Sequence, residues 1–189
     1  MKISNPNLLK SQLTVSSLYI TGYEFLKNSI IEKLKGLICS NSKLSNEGKL
    51  IFIENSDYKK IKNKKHTALE GNSNEFYSCC EWYMDRGIIS TFEFDELQKI
   101  RKFRNDIAHR LPELLIDDSK TFEIELFNSL LKFISKIEKY WVLEFEIPIN
   151  PDYDNKEINE DEVSTGVIIL MEYLVNIAKE EIENIKKSS

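Results

Sequence analysis

Apolar residues recur at helical spacing along most of the chain. Five stretches show this period, and each predicts a helix: residues 8–38, 74–86, 92–111, 119–145 and 158–187. The period is lost between residues 40 and 74, where Asn, Ser, Gly and Lys are frequent, so we expect a loop-rich basic insertion with one short helix near residues 57–61. The pattern therefore predicts an all-α fold, an antiparallel bundle of four to five helices in one domain spanning residues 1–189.

Local signals mark the third of these helices most sharply. Ser90 and Glu93 have the spacing of a capping box, and Gly87 is suited to the left-handed residue that ends the preceding helix. Pro112 is expected to close the helix, because proline cannot donate a backbone hydrogen bond. The predicted core stripe of this helix is Leu97, Ile100, Phe103, Ile107 and Leu111.

Composition supports this architecture and excludes several classes of protein. The 189 residues suffice for one domain, and 6 Gly and 4 Pro are too few for the frequent turns of a sandwich or barrel. The three cysteines lack the spacing of a metal site and suit a reducing compartment. Since we find neither a leader pattern nor an apolar run of membrane-spanning length, we expect a cytoplasmic protein without membrane insertion, cofactor or metal.

Charge is distributed unevenly along the chain, whose net charge is −5. Residues 59–110 carry 11 Lys/Arg and 8 Asp/Glu, whereas residues 111–189 carry 8 and 18. An acidic total is weak evidence against nucleic-acid binding, because binding requires only a local basic footprint. The first 110 residues can supply such a footprint.

The basic part of the third helix carries the main candidate chemistry. Lys99–Arg110 contains five cations and one anion, Asp106. At about 100° per residue, one side of the helix beside the core stripe presents Arg101, Arg104, Asn105, Ala108 and His109. An imidazole can move a proton near neutral pH, and guanidinium groups bind phosphate oxygens, so this face suits phosphodiester chemistry. The alternative is surface decoration, with Arg104 paired to Glu93, Glu96 or Asp106.

The run Arg104-Asn105-Asp106-Ile107-Ala108-His109 resembles the signature of HEPN domains, in which four to six residues separate Arg from His. The resemblance is closest over residues 75–116. It implies a helical homodimer, in many members a metal-independent endoribonuclease of toxin–antitoxin or phage-defence systems. By position, Arg104 and His109 would form the catalytic pair with Asn105 as their polar companion. Leu111 departs from the tyrosine that marks toxins modified by a partner nucleotidyltransferase.

Other cations are candidates for holding RNA. Arg101, Lys102 and Arg110 flank the motif, and Lys62, Lys64 and Lys65 belong to a lysine-dense run that ends at His66. A solvated loop is the commoner fate of such a run, and His66 is expected to be part of that loop.

Three functions follow from these observations. The first is a ribonuclease in which the RNA 2′-OH attacks the adjacent phosphate and leaves a 2′,3′-cyclic phosphate and a 5′-OH. A cognate antitoxin or another regulatory partner would then accompany it. The second is a non-catalytic HEPN dimer that binds a nucleotide or a protein, and the third is a structural bundle in which the motif is coincidental.

Overall fold

The computed structural model describes residues 5–116, 122, 124–154 and 156–188. This part of the chain is mostly helical, as the apolar spacing predicts. The helices are α1 (Pro6–Ile38), α2 (Ser56–Lys62), α3 (Glu75–Asp85), α4 (Thr91–Ile116), α5 (Ile124–Trp141) and α6 (Gly166–Ser188). None of these helices, in the part of the chain that is described, is long and apolar enough to cross a membrane.

The contacts within the chain divide it into two compact units. The first comprises Met1–Leu26 and Lys99–Ser189, and the second comprises Lys27–Gln98. Both boundaries fall inside helices, α1 and α4. The prediction of a single domain over residues 1–189 stays a prediction.

The first unit has its core between four helical segments. The Tyr19 ring of α1 meets Phe103 of α4 and Phe127 of α5 edge-on, with centroids 4.9 and 5.2 Å away, and its hydroxyl donates to the Ile100 carbonyl. A side chain at Gly22 would lie 2.7 Å from the Met171 methyl group, so this glycine allows α1 and α6 to approach closely. These contacts place α4 against α1. They thereby position the side of α4 that presents Arg101, Arg104, Asn105, Ala108 and His109, which we call the α4 face.

The second unit contains the element that the sequence analysis does not anticipate. Residues 40–74 include an antiparallel hairpin of β1 (Asn41–Leu44) and β2 (Leu50–Ile53), whose register pairs Ser42 with Phe52. The short helix predicted near residues 57–61 is present as α2. The hairpin contacts α1 through Phe52, whose ring lies 3.2 Å from the position that a side chain would occupy at Gly36.

The capping signals around α4 are confirmed. The Ser90 hydroxyl accepts from the Glu93 backbone at 3.2 Å, while the Glu93 carboxylate accepts from the Ser90 backbone at 2.8 Å. Gly87 has φ 72°, and the amide of Ile88 donates to the Tyr83 carbonyl, which closes α3 in a Schellman motif.

The predicted end of the motif helix is wrong in detail. The backbone leaves helical geometry at Arg110 (φ −126°, ψ 23°), and the chain then continues as helix through Pro112 to Ile116. Proline at position 112 would clash with the Ala108 carbonyl in a straight helix, so the break two residues earlier relieves that clash. His109 is therefore the last helical residue before the kink.

Two other helices differ from their predicted bounds. The helix predicted over residues 119–145 is observed from Ile124 to Trp141 and continues as a π-helical turn, Val142–Glu146; residues 119–121 and 123 lie outside the described part. The last helix begins at Gly166 rather than residue 158. Thr165 caps it, since its hydroxyl accepts from the Ile168 amide at 3.3 Å.

Candidate functional site

The α4 face lies beside the core stripe, as predicted. Ile100 and Ile107 are buried, Arg101, Arg104 and Asn105 are half-buried, and Ala108 and His109 are exposed. Arg104 and His109 lie at the two edges of this face, about 140° apart around the helix axis.

Arg104 is held by α1 rather than by its own helix. Its Nη2 donates to Glu24 Oε1 at 2.8 Å, and its guanidinium carbon lies 5.5 Å from the centre of the Tyr23 ring. The sequence suggests Glu93, Glu96 or Asp106 as its partner, whereas the structure pairs Arg104 with Glu24. No sequence signal singles out Glu24, because 80 residues separate it from Arg104 and only the packing of α1 on α4 brings them together.

The guanidinium of Arg104 is fixed without being saturated. Nη1 makes a long contact of 3.4 Å with Asn105 Oδ1, and Nε is buried with no hydrogen-bond partner in the described structure. The side chain is 28% exposed. A fixed guanidinium that keeps a water-facing side can bind an anion with little loss of side-chain entropy.

His109 is the most accessible side chain on the face that can exchange a proton. It is exposed, and among the described residues no hydrogen bond or ion pair involves it. Asn105 lies one turn before it and is half-buried. A substrate could therefore reach the imidazole directly, whereas it would reach Arg104 only beside Glu24.

The flanking cations behave differently from one another. Lys102 is exposed, Arg101 is half-buried and makes an interaction of its own, and Arg110 at the kink pairs with Glu113 through Nε and Nη2 at 2.8 and 2.6 Å. This last pair is solvent-exposed, and exposed pairs are weak. Lys102 and Arg110 thus remain accessible to an incoming phosphate.

The lysine-dense run is tied into the second unit by carboxylates. Lys62 lies 2.6 Å from Glu54, and Lys64 lies 2.6 Å from Glu81. The hydrogen bond that each lysine donates to its carboxylate raises the pKa of Lys62 and of Lys64, and the bond from Lys62 lowers the pKa of Glu54. Lys65 is exposed. Two of the three predicted RNA contacts in this run are therefore already paired within the chain.

His66 is not the solvated loop residue that the sequence suggests. Its side chain is 3% exposed, its Nε2 lies 2.7 Å from the Ser78 hydroxyl, and its Nδ1 lies 3.6 Å from Glu81. The ring also packs on Tyr77, with centroids 4.5 Å apart. His66 is a core residue that connects the irregular segment before α3 to that helix.

A carboxylate at the start of α3 organises the rest of this unit. Glu75 accepts a hydrogen bond from the Tyr58 hydroxyl at 2.9 Å and lies 3.6 Å from Lys35 and 3.8 Å from Lys62. Burial raises the pKa of Tyr58, and it raises that of the neighbouring Cys79 thiol to about 12. This cysteine is therefore an inert core residue at neutral pH.

The comparisons with known proteins are negative. No family model, curated protein or solved structure matches this chain. The resemblance to HEPN domains therefore rests on the residues of the α4 face and their setting alone.

Cavities and metal sites do not coincide with the motif. A cavity of about 440 Å³ lies in the first unit, and Glu146, Tyr153, Glu157 and Glu162 are among the residues that line it. No residue of the α4 face lines it. Across the described residues, no group of three or more His, Cys, Asp or Glu side chains is placed to hold a metal ion.

Proposed function

We propose that the chain is a HEPN-like, metal-independent endoribonuclease, a toxin or phage-defence effector that cleaves RNA to a 2′,3′-cyclic phosphate and a 5′-OH. The observation that carries this proposal is the α4 face itself. It holds an exposed His109 and, five residues earlier on the same helix, a guanidinium fixed by Glu24 and Tyr23.

Each side chain has a distinct task in the proposed reaction. His109 either accepts the proton of the attacking 2′-OH or donates a proton to the leaving 5′-oxygen, and its exposure lets the substrate reach it. Arg104 binds the non-bridging phosphate oxygens, where negative charge grows in the transition state. Asn105 orients the phosphate or the Arg104 side chain, and Lys102, Arg101 and Arg110 hold the adjoining backbone.

A single copy supplies an incomplete site, because Arg104 and His109 lie on opposite edges of the face and do not converge on one phosphate. We propose a homodimer in which two α4 faces oppose each other across a two-fold axis, so that Arg104 of one copy and His109 of the other approach one phosphate. Ala108, small and exposed, permits such an approach. Light scattering tests this arrangement: an active monomer would contradict it.

The alternative is a non-catalytic HEPN-like dimer that binds a nucleotide or a protein. The pairing of Arg104 with Glu24 favours this alternative, because a carboxylate already occupies part of the phosphate-binding guanidinium. Glu24 would have to yield or rotate before Arg104 could bind a phosphate fully.

Expression in a bacterial host separates the two functions. Cells producing the wild type should stop growing and lose intact RNA, whereas cells producing His109→Ala should grow normally. Lys64→Ala is the control, since it also truncates a basic side chain to alanine, but one bound to Glu81 in the other unit. Toxicity of His109→Ala equal to that of the wild type would contradict the ribonuclease.

A further inference from the structure

Helix α6 is apolar on two sides, and only one of them is used by the core. Ile168, Met171, Val175, Ala178 and Ile182 are buried. Another side exposes four large side chains: Ile169 (46% exposed), Leu170 (43%), Tyr173 (65%) and Ile177 (43%). We call these four residues the α6 stripe. Apolar side chains this close together on a protein surface mark an interaction site.

The stripe is symmetric about its most exposed residue. Ile169 and Ile177 lie four residues before and after Tyr173, and all four side chains fall within about 100° around the helix axis. Two such helices packed antiparallel about a two-fold axis at Tyr173 would place Ile169 and Leu170 against Ile177 of the second copy. A C2 interface requires this kind of self-complementarity.

Charge in the same register is also self-complementary. The pairing puts Glu180 opposite the Gly166 end of the second copy's α6. The first turn of α6 contains no acidic residue, and a helix N-terminus carries about half a positive charge. Among the described residues, no ion pair or hydrogen bond involves Glu180, and the space beside the Gly166 α-carbon is open.

We propose that the α6 stripe binds the α6 stripe of a second copy of this chain, antiparallel and centred on Tyr173, with each Glu180 beside the other copy's helix N-terminus. The paired segment runs over residues 166–180, about 22 Å. Because one helix of each copy contributes, we expect less buried area than the roughly 1,600 Å² of a standard interface, and dissociation in roughly the micromolar range.

This surface is independent of the proposed ribonuclease and of the α4 face. If both surfaces pair, the assembly holds more than two copies. If only the α6 stripe pairs, the chain is a dimer whose two motif helices do not form a composite site. The two proposals can therefore fail separately.

Sedimentation velocity from about 1 to 100 μM tests the α6 pairing on the full chain. Tyr173→Glu should halve the mass of the largest wild-type species at a given concentration, whereas Tyr173→Phe should keep it. Asn184→Glu is the matched control, because it adds the same charge to an exposed site of the same helix beyond the paired segment. Should Tyr173→Glu fail to fold, Ile177→Lys tests the same contact.

Glu180→Lys adds a second, electrostatic test. It should weaken association at least about tenfold, since a cation would then face a helix N-terminus. A wild type that stays monomeric at the highest concentration would overturn the proposal, as would a Tyr173→Glu assembly equal to the wild type. Loss of the α6 assembly together with unchanged RNA cleavage would leave the ribonuclease proposal intact.

Discussion

Two stretches of this chain place a histidine among cations, and the fold treats them in opposite ways. In the run that ends at His66, Glu54 and Glu81 bind Lys62 and Lys64, and the imidazole is buried against Ser78. On α4, His109 and Lys102 remain exposed. The comparison shows that similar local composition gives a buried cluster in one place and an accessible helix face in the other. Carboxylates from other elements bind Lys62 and Lys64, whereas on α4 Glu24 binds Arg104 and leaves Lys102 and His109 exposed.

The largest expected effect separates the two histidines by activity. If the α4 face is catalytic, His109→Ala and Arg104→Ala should each lower RNA cleavage by at least about 10²-fold, because a proton-transfer group or a phosphate-binding group is lost. Unfolding free energies should change by no more than about 1 kcal/mol, since neither side chain is in the core. Cleavage rates and urea unfolding of the same preparations check both parts. Unchanged cleavage in His109→Ala would contradict the proposal that His109, unlike His66, is catalytic.

His66 should show the reverse behaviour, a loss of stability. His66→Ala empties a buried site and leaves the Ser78 hydroxyl without its 2.7 Å partner. We expect unfolding to become easier by about 2–4 kcal/mol, from the cavity and the unpaired polar group together. Urea denaturation measures this change, with Lys65→Ala on the same exposed segment as control. A destabilisation below about 0.5 kcal/mol would show that the His66 cluster is not structural.

The features that could be predicted are those determined by residues close to one another in the sequence. The capping box at Ser90, the left-handed Gly87 and the burial of Leu97, Ile100 and Ile107 follow from residues within one or two turns, whereas Phe103 and Leu111 of the predicted core stripe are only half-buried. The hairpin escapes prediction because Leu50-Ile51-Phe52-Ile53 has no alternation of apolar and polar residues. The partner of Arg104 escapes it too, since Glu24 belongs to a helix 80 residues away.

Alkaline pH should weaken the buried cluster of the second unit. The Cys79 thiol keeps its proton up to about pH 12 in the folded chain, against an ordinary pKa of 9.0. An unfolded thiol loses that proton earlier, so the stability is intact below pH 9 and declines as pH rises from 9 to 12, by up to about 1.4 kcal/mol per pH unit. Urea unfolding at about pH 8 and pH 10 should show a smaller decline in Cys79→Ala than in the wild type. Equal slopes would contradict the burial argument.

Glu24 allows the electrostatics of the α4 face to be changed without touching the motif. Glu24→Gln frees the guanidinium of Arg104, so RNA should bind more tightly and the salt dependence of log K should steepen by about 0.7, the value of one added cation. Stability should change by less than about 1 kcal/mol, because the pair is partly exposed. Binding to a labelled single-stranded RNA at several salt concentrations measures this. Glu32→Gln, which likewise removes one carboxylate from a cation, Lys35, but in the other unit, is the control and should leave the slope unchanged.

The smallest effect compares two single lysines. Lys102→Gln should weaken RNA binding by about threefold, whereas Lys64→Gln should leave it unchanged. Of these two lysines, Lys64 is bound to Glu81, and Lys102 has no carboxylate partner among the described residues. Parallel titrations of the two variants with one RNA make the comparison direct. An equal loss in both would mean that the lysine-dense run also contacts RNA.

The central claim is that the α4 face cleaves RNA by internal attack without a metal. Its most direct measurement is the chemistry of the product ends after incubation of RNA with purified wild type in EDTA. We predict 2′,3′-cyclic phosphate and 5′-OH ends with the wild type, and intact RNA with His109→Ala. Complete inhibition of the wild type by EDTA, or products bearing 5′-phosphate and 3′-OH ends, would contradict the account.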